Sequence, residues 1–113
     1  MARIKTLSDL SDRLGFTVLS APDRFPKVGA FGTDQAKNLL VAFDILHEGF
    51  PLVEKKIKDP TQVAHLKQLL SDALAAYQQG DKKKGAYLLQ DFEDIVFPSR
   101  FREYEARKGD DAL

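Results

Sequence analysis

Asp44, His47 and Glu48 stand at i, i+3 and i+4, the spacing at which side chains on one helix converge and from which carboxylate-bridged metal bundles draw their ligands. Such bundles need a carboxylate-x-x-histidine pair on each of two helices and further carboxylates on two others. The other histidine, His65, has Gln62, Gln68 and Leu69 at the matching positions, so no second half-site is spelled. Asp44, His47 and Glu48 are expected to be a solvated helix end, where a histidine suits the negative pole of the helix. A second acidic group, Asp91, Glu93 and Asp94, contains one i, i+3 pair that could imitate an acid and base couple. Nothing in the sequence sets an opposing carboxylate against it. Flanking Phe92 on the outer side of a helix, these acids read as a solubilising surface or as a means of recognising a basic partner.

Lys82, Lys83 and Lys84, with Lys55, Lys56 and Lys58, could touch phosphates. They lack the aromatic interleaving of a single-strand binder, and no helix-turn-helix spacing accompanies them. Gly29, Gly32, Gly80 and Gly85 fit neither a P-loop nor a dinucleotide fingerprint. Ser8, Ser11, Ser20, Ser71 and Ser99 lie in no nucleophile-elbow pattern. The absence of cysteine removes disulfides, thiolate zinc sites and thiol catalysis. The residues thus spell no catalytic centre, no metal site and no cofactor site, and the chain is expected not to be an enzyme. A helical nucleic-acid-associated regulatory protein and a metal-dependent enzyme are the alternatives.

The elements that must position these residues are read from apolar spacing. Leu7, Leu10 and Leu14, behind a cap-like Thr6 and Asp9, give a first short helix ended by Gly15. Residues 16–32, with Pro22, Pro26, Gly29 and Gly32, read as a long loop with a short extended piece at its start. A loop that long either is pinned to the core, here by Phe25, Val28 and Phe31, or carries function. Thr33 is expected to cap a helix over Asp34 to Glu48 whose stripe is Ala36, Leu39, Leu40, Phe43 and Leu46. Pro51 to Lys58 reads as a short helix or a kinked continuation across Gly49. Asp59 and Pro60 then introduce a helix over Thr61 to Gln79, carrying Val63, Leu66, Leu70, Ala73 and Tyr77. Gly80 and Asp81 reverse the chain into a helix bearing Ala86, Leu89, Phe92 and Val96. Gly85 costs that helix roughly 1 kcal/mol relative to alanine, and its position near the hairpin implies close backbone approach to the preceding helix. Pro98 stops the run, Ser99 can cap a last short helix with Phe101 and Tyr104, and residues 109–113 are expected to fray. The fold class is all-α, a compact bundle of about five helices with a long N-terminal loop, forming a single domain over residues 1–113.

Composition sets the outer bounds. At 113 residues the chain is near the modal size of one domain. With 43% hydrophobic and 30% charged residues, it is too apolar for a disordered chain and too polar for a membrane one. The 17 basic and 17 acidic residues cancel, so no global field draws in nucleic acid or an anionic membrane. Between Asp81 and Leu113 seven basic residues answer eight acidic ones. The longest apolar run, Leu39 to Phe43, is far short of a bilayer span. Met1 to Leu14 offers no apolar segment that could direct secretion, and cytoplasmic residence is expected.

The segment Ala76, Tyr77, Gly80, Asp81, Ala86 and Leu89 resembles the turn of a tetratricopeptide hairpin, with an aromatic, a Gly-Asp turn and a small residue opposite. The likeness covers one hairpin and is a shared solution to joining two helices. In overall build the chain resembles the small, cysteine-free, helical immunity proteins that bacteria make against contact-delivered or secreted toxins. The features that carry this are the helical acidic-and-aromatic surface of Asp91, Phe92, Glu93, Asp94 and Phe97, and the lack of a catalytic motif. The resemblance implies a protein that binds a cognate toxin domain, often a basic nuclease, and covers its active site or substrate surface. Acidic residues would speed encounter while apolar anchors slow dissociation. The expected anchors are Phe92, Phe97, Phe101 and Tyr104, and the expected charged rim is Asp91, Glu93, Asp94, Glu103 and Glu105.

Overall fold

The computed structural model describes residues 4–98, and these contain helices and no strand. The helices are α1 (Leu7–Ser20), α2 (Gln35–Glu48), α3 (Phe50–Lys56), α4 (Pro60–Gln78) and α5 (Lys82–Val96). Gly49 alone separates α2 from α3, so the pair forms one bent rod and the globule is built from four. Pro51 fits the first turn of α3, where its missing N–H costs nothing. The bend packs tightly: a Cβ on Gly49 would stand 3.0 Å from Leu10 and 3.1 Å from Ile4.

α1 starts as its cap residues require. Thr6 Oγ1 accepts the Asp9 N–H at 3.1 Å, while the Asp9 carboxylate accepts the Thr6 N–H at 3.2 Å. It does not stop at Gly15. The buried stripe Leu10, Leu14, Thr17 runs on at helical spacing past the glycine, and the Thr17 hydroxyl is satisfied by donating to the Arg13 carbonyl at 2.8 Å. Phe16, Val18 and Leu19 are therefore helical, in place of the expected extended piece. Pro22 ends the helix instead: the residue before a proline is pushed out of the helical region, and Ala21 has ψ 149. The Ala21–Pro22 bond is cis.

The loop from Ala21 to Asp34 is shorter than expected and is held from both sides. Phe25 and Phe31 are buried, their rings stacked at 5.2 Å, and Phe16 of α1 closes the triad at 5.9 and 5.4 Å. Val28 takes no part in this pinning, being 60% exposed. Two amides of α2 do the rest. The Gln35 side chain accepts the Phe25 N–H and donates to the Phe25 carbonyl, at 3.0 and 3.1 Å. Asn38 treats Gly32 the same way, at 2.9 and 3.0 Å. Asp34, rather than Thr33, caps α2 by accepting the Lys37 N–H.

α4 opens on Asp59, whose carboxylate accepts the Thr61 N–H at 2.9 Å. It ends in a Schellman turn: Asp81 N–H donates to the Ala76 carbonyl and Gly80 N–H to that of Tyr77, with Gly80 at φ +82. Asp81 then caps α5 by accepting the Lys84 N–H. Among the described helices, α4 and α5 pack together most extensively. The close approach read from Gly85 is realised, for an added Cβ there would lie 2.7–2.8 Å from the Tyr77 ring carbons. Tyr77 is itself fully buried and edge-on to Phe43 at 6.1 Å. One hydrophobic cluster, from Ile4 to Val96, joins all the helices. The expected helix after Ser99 and the 109–113 tail lie outside the described residues.

Candidate functional site

α5 has two faces of opposite character. Gly85, Leu89, Phe92 and Val96 recur at helical spacing and are buried against the rest of the bundle. On the outer side Lys83, Lys84, Tyr87, Gln90, Asp91 and Asp94 are all exposed. These positions repeat every three or four residues, so they form a continuous stripe. Tyr87, 56% exposed, sits at its centre, with the Lys83 ammonium 5.9 Å from its ring centroid. Lysines occupy one end of the stripe and carboxylates the other.

That polarity runs against the helix. Free N–H groups make a helix N-terminus positive and free carbonyls make its C-terminus negative, so basic residues in the first turn and acidic ones in the last are both unfavourable. Beyond the Asp81 cap, α5 has Lys82, Lys83 and Lys84 in its first turn, and it has Glu93 and Asp94 in its last turn, with no base there. The missing C-terminal cation arrives from another helix. Lys56 of α3 donates its ammonium to the Val96 carbonyl and lies 5.3 Å from the Phe97 ring centroid.

The residues expected to bind a partner divide accordingly. Asp91 and Asp94 are exposed on the outer stripe, Glu93 is half-buried, and Phe97 is half-buried beneath Lys56. Phe92 is a correction: only 1% exposed and 6.5 Å from the Phe50 ring, it belongs to the core and offers no contact surface. It falls on the inner stripe because it stands three residues after Leu89 and four before Val96. Phe101, Glu103, Tyr104 and Glu105 lie outside the described residues. Tyr87 was missed as the surface aromatic, although its spacing of four residues from both Lys83 and Asp91 marks it as an outer-face position. Leu19, at 78% exposure, and Val28 were missed as well.

Other chemistry-bearing residues are more dispersed. Asp44, His47 and Glu48 are exposed on α2, and no group of three histidine or acidic side chains among the described residues is arranged to hold a metal ion. A wide, open hollow of about 370 Å³ lies along α1, lined by Asp9, Asp12, Arg13 and Phe16. The N–H groups of Lys5 and then Thr6 hold the Asp9 carboxyl below its ordinary range, and the Arg13 guanidinium lies 5.9 Å from the Phe16 ring centroid. No helix among the described residues is long and apolar enough to cross a membrane.

These features define a small, compact, all-helical protein. No family model, curated protein or solved structure matches the chain.

Proposed function

We propose that the protein works by binding another protein, as an inhibitor of the immunity type that covers a basic toxin domain, and that the acidic end of α5 is its first point of contact. The observation that supports this is the reversed charge order of α5. Asp91 and Asp94 are exposed on the outer stripe toward the C-terminal half of α5, while the Lys56 ammonium meets the Val96 carbonyl at the helix end itself. In a chain of zero net charge the two carboxylates create a local negative field that accelerates encounter with a basic surface. Half-buried Phe97 and exposed Tyr87 border that field and supply apolar contact.

The test captures protein partners from native cell extract on the purified chain and measures the binding of the recovered protein to wild type and to the Asp91→Lys variant. One stoichiometric complex is expected, with an association rate that falls on raising salt from about 0.05 to 0.5 M as the Debye length contracts below roughly 5 Å. The variant should associate at least about tenfold more slowly, at unchanged thermal stability. Equal rates for both chains, or recovery from cell extract of nucleic acid that elutes steeply with salt, would overturn the reading.

A further inference from the structure

We infer that the outer face of α5 is also a self-recognition surface, on which two copies of this chain pair antiparallel about a two-fold axis at Tyr87. The two ends of a two-fold interface must complement each other, because every contact of residue i with residue j is repeated as j with i. The α5 stripe has this property. Lys83 stands one helical turn before Tyr87 and Asp91 one turn after it, and all three are exposed. Laid antiparallel against its copy, each helix sets Lys83 of one chain on Asp91 of the other, twice over, with the two Tyr87 rings between them. A parallel arrangement would set lysine on lysine and carboxylate on carboxylate, so the charge order selects one orientation.

The rise of about 1.5 Å per residue places Lys83 and Asp91 roughly 12 Å apart along the axis. Both ion pairs therefore fall within one short helix contact. Surface ion pairs are individually weak, and a single helix face covers less than the ~800 Å² per partner of a standard interface. The dimer is accordingly expected to dissociate in the range of about 0.1–1 mM at low salt. It hides Tyr87 and Asp91, so self-pairing and the binding of any partner at this face exclude one another. Self-pairing requires nothing beyond the chain itself and does not depend on the function proposed above.

Sedimentation equilibrium of the purified chain at up to about 1 mM, in low salt, decides the matter. Wild type should show a monomer–dimer equilibrium that shifts to monomer near 1 M salt, where screening acts within about 3 Å. Lys83→Asp and Asp91→Lys should each weaken the dimer at least about tenfold, since each puts like charges in contact twice. Mixing the two variants should restore association as a heterodimer, and the doubly swapped chain, Lys83→Asp with Asp91→Lys, should dimerise like wild type. Circular dichroism melting checks that each variant is folded. A wild-type chain that stays monomeric throughout, single reversals that dimerise undiminished, or a mixture that associates no better than its components, overturns the antiparallel pairing.

Discussion

Replacing Gly85 with alanine sets helix propensity against packing, and the two give opposite signs. In an isolated helix the change is favourable by about 0.8–1.0 kcal/mol, because glycine loses more backbone freedom on folding. In the folded protein the new methyl would meet three carbons of the Tyr77 ring at 2.7–2.8 Å, against a normal carbon–carbon separation of about 3.5–4.0 Å. The ring must withdraw by about 1 Å, and it cannot do so freely, since Phe43 backs it at 6.1 Å and the side chain is fully buried. Overpacking of this kind costs about 1–3 kcal/mol. Packing is the larger effect here because the obstacle is a rigid ring body and not the end of a flexible chain. Gly85→Ala should therefore lose up to about 2 kcal/mol net, read as a lower urea midpoint at unchanged slope and a melting temperature lower by about 4–8 °C for each kcal/mol lost. In a Tyr77→Leu background the same alanine should be neutral or gain up to about 1 kcal/mol, so the cycle isolates the clash. A Gly85→Ala protein more stable than wild type would refute the packing argument.

Three further outcomes follow from contacts already described. The Tyr77 hydroxyl is buried without a hydrogen-bond partner, and burial pushes its pKa from 10.0 up to about 12. With the folded value above the unfolded one, this group's share of stability is intact below pH 10 and is lost as the pH climbs to 12. Wild type should lose about 2 kcal/mol more than Tyr77→Phe across that window, with the two within about 1 kcal/mol at pH 7; parallel alkaline unfolding curves would contradict this. Asn38→Ala removes both bonds to Gly32 and should cost about 1–2 kcal/mol. It should also speed tryptic cleavage after Arg24 or Lys27, and unchanged cleavage would show that the Phe25–Phe31 stack alone holds the loop. Lys56→Met keeps the aliphatic stem but removes the ammonium at the Val96 carbonyl. A loss of about 1 kcal/mol is expected, with faster exchange of the Phe97 amide that bonds to Glu93; unaltered exchange would separate the cap from the end of α5.

How far the local sequence carried can be seen residue by residue. Thr6 with Asp9, Asp59 with Pro60, and Gly80 with Asp81 mark helix ends by chemistry that operates within a few residues, and each acts as read. Gly85 signalled the tight α4–α5 contact because a glycine inside a helix is costly unless space demands it. Gly15 misled for the complementary reason: a helix tolerates one glycine when the flanking stripe is buried, and Leu10, Leu14 and Thr17 supply that burial only once α1 meets the bundle. The loop shows the same division. Its prolines and glycines were plain in the sequence, whereas the Gln35 and Asn38 clamps join residues ten and six positions apart that no local rule pairs.

The candidate surface was partly legible. Asp91 and Asp94 were identified, but Phe92 was assigned to the same surface because it is adjacent in sequence, whereas adjacent helical residues point about 100° apart. Period, caps and composition determined that this chain is helical, where most helices begin, and the apolar side of most of them, although Ala36 and Leu40, read into the stripe of α2, are exposed. Only the packing of the four rods decided that α1 runs on to Pro22, that Val28 and Leu40 meet solvent while Asn38 is buried, and that a lysine from α3 reaches the last carbonyls of α5. Capping and periodicity are settled by groups a few residues apart, whereas burial depends on which distant surface closes over a side chain, and that is fixed only when the whole chain is folded.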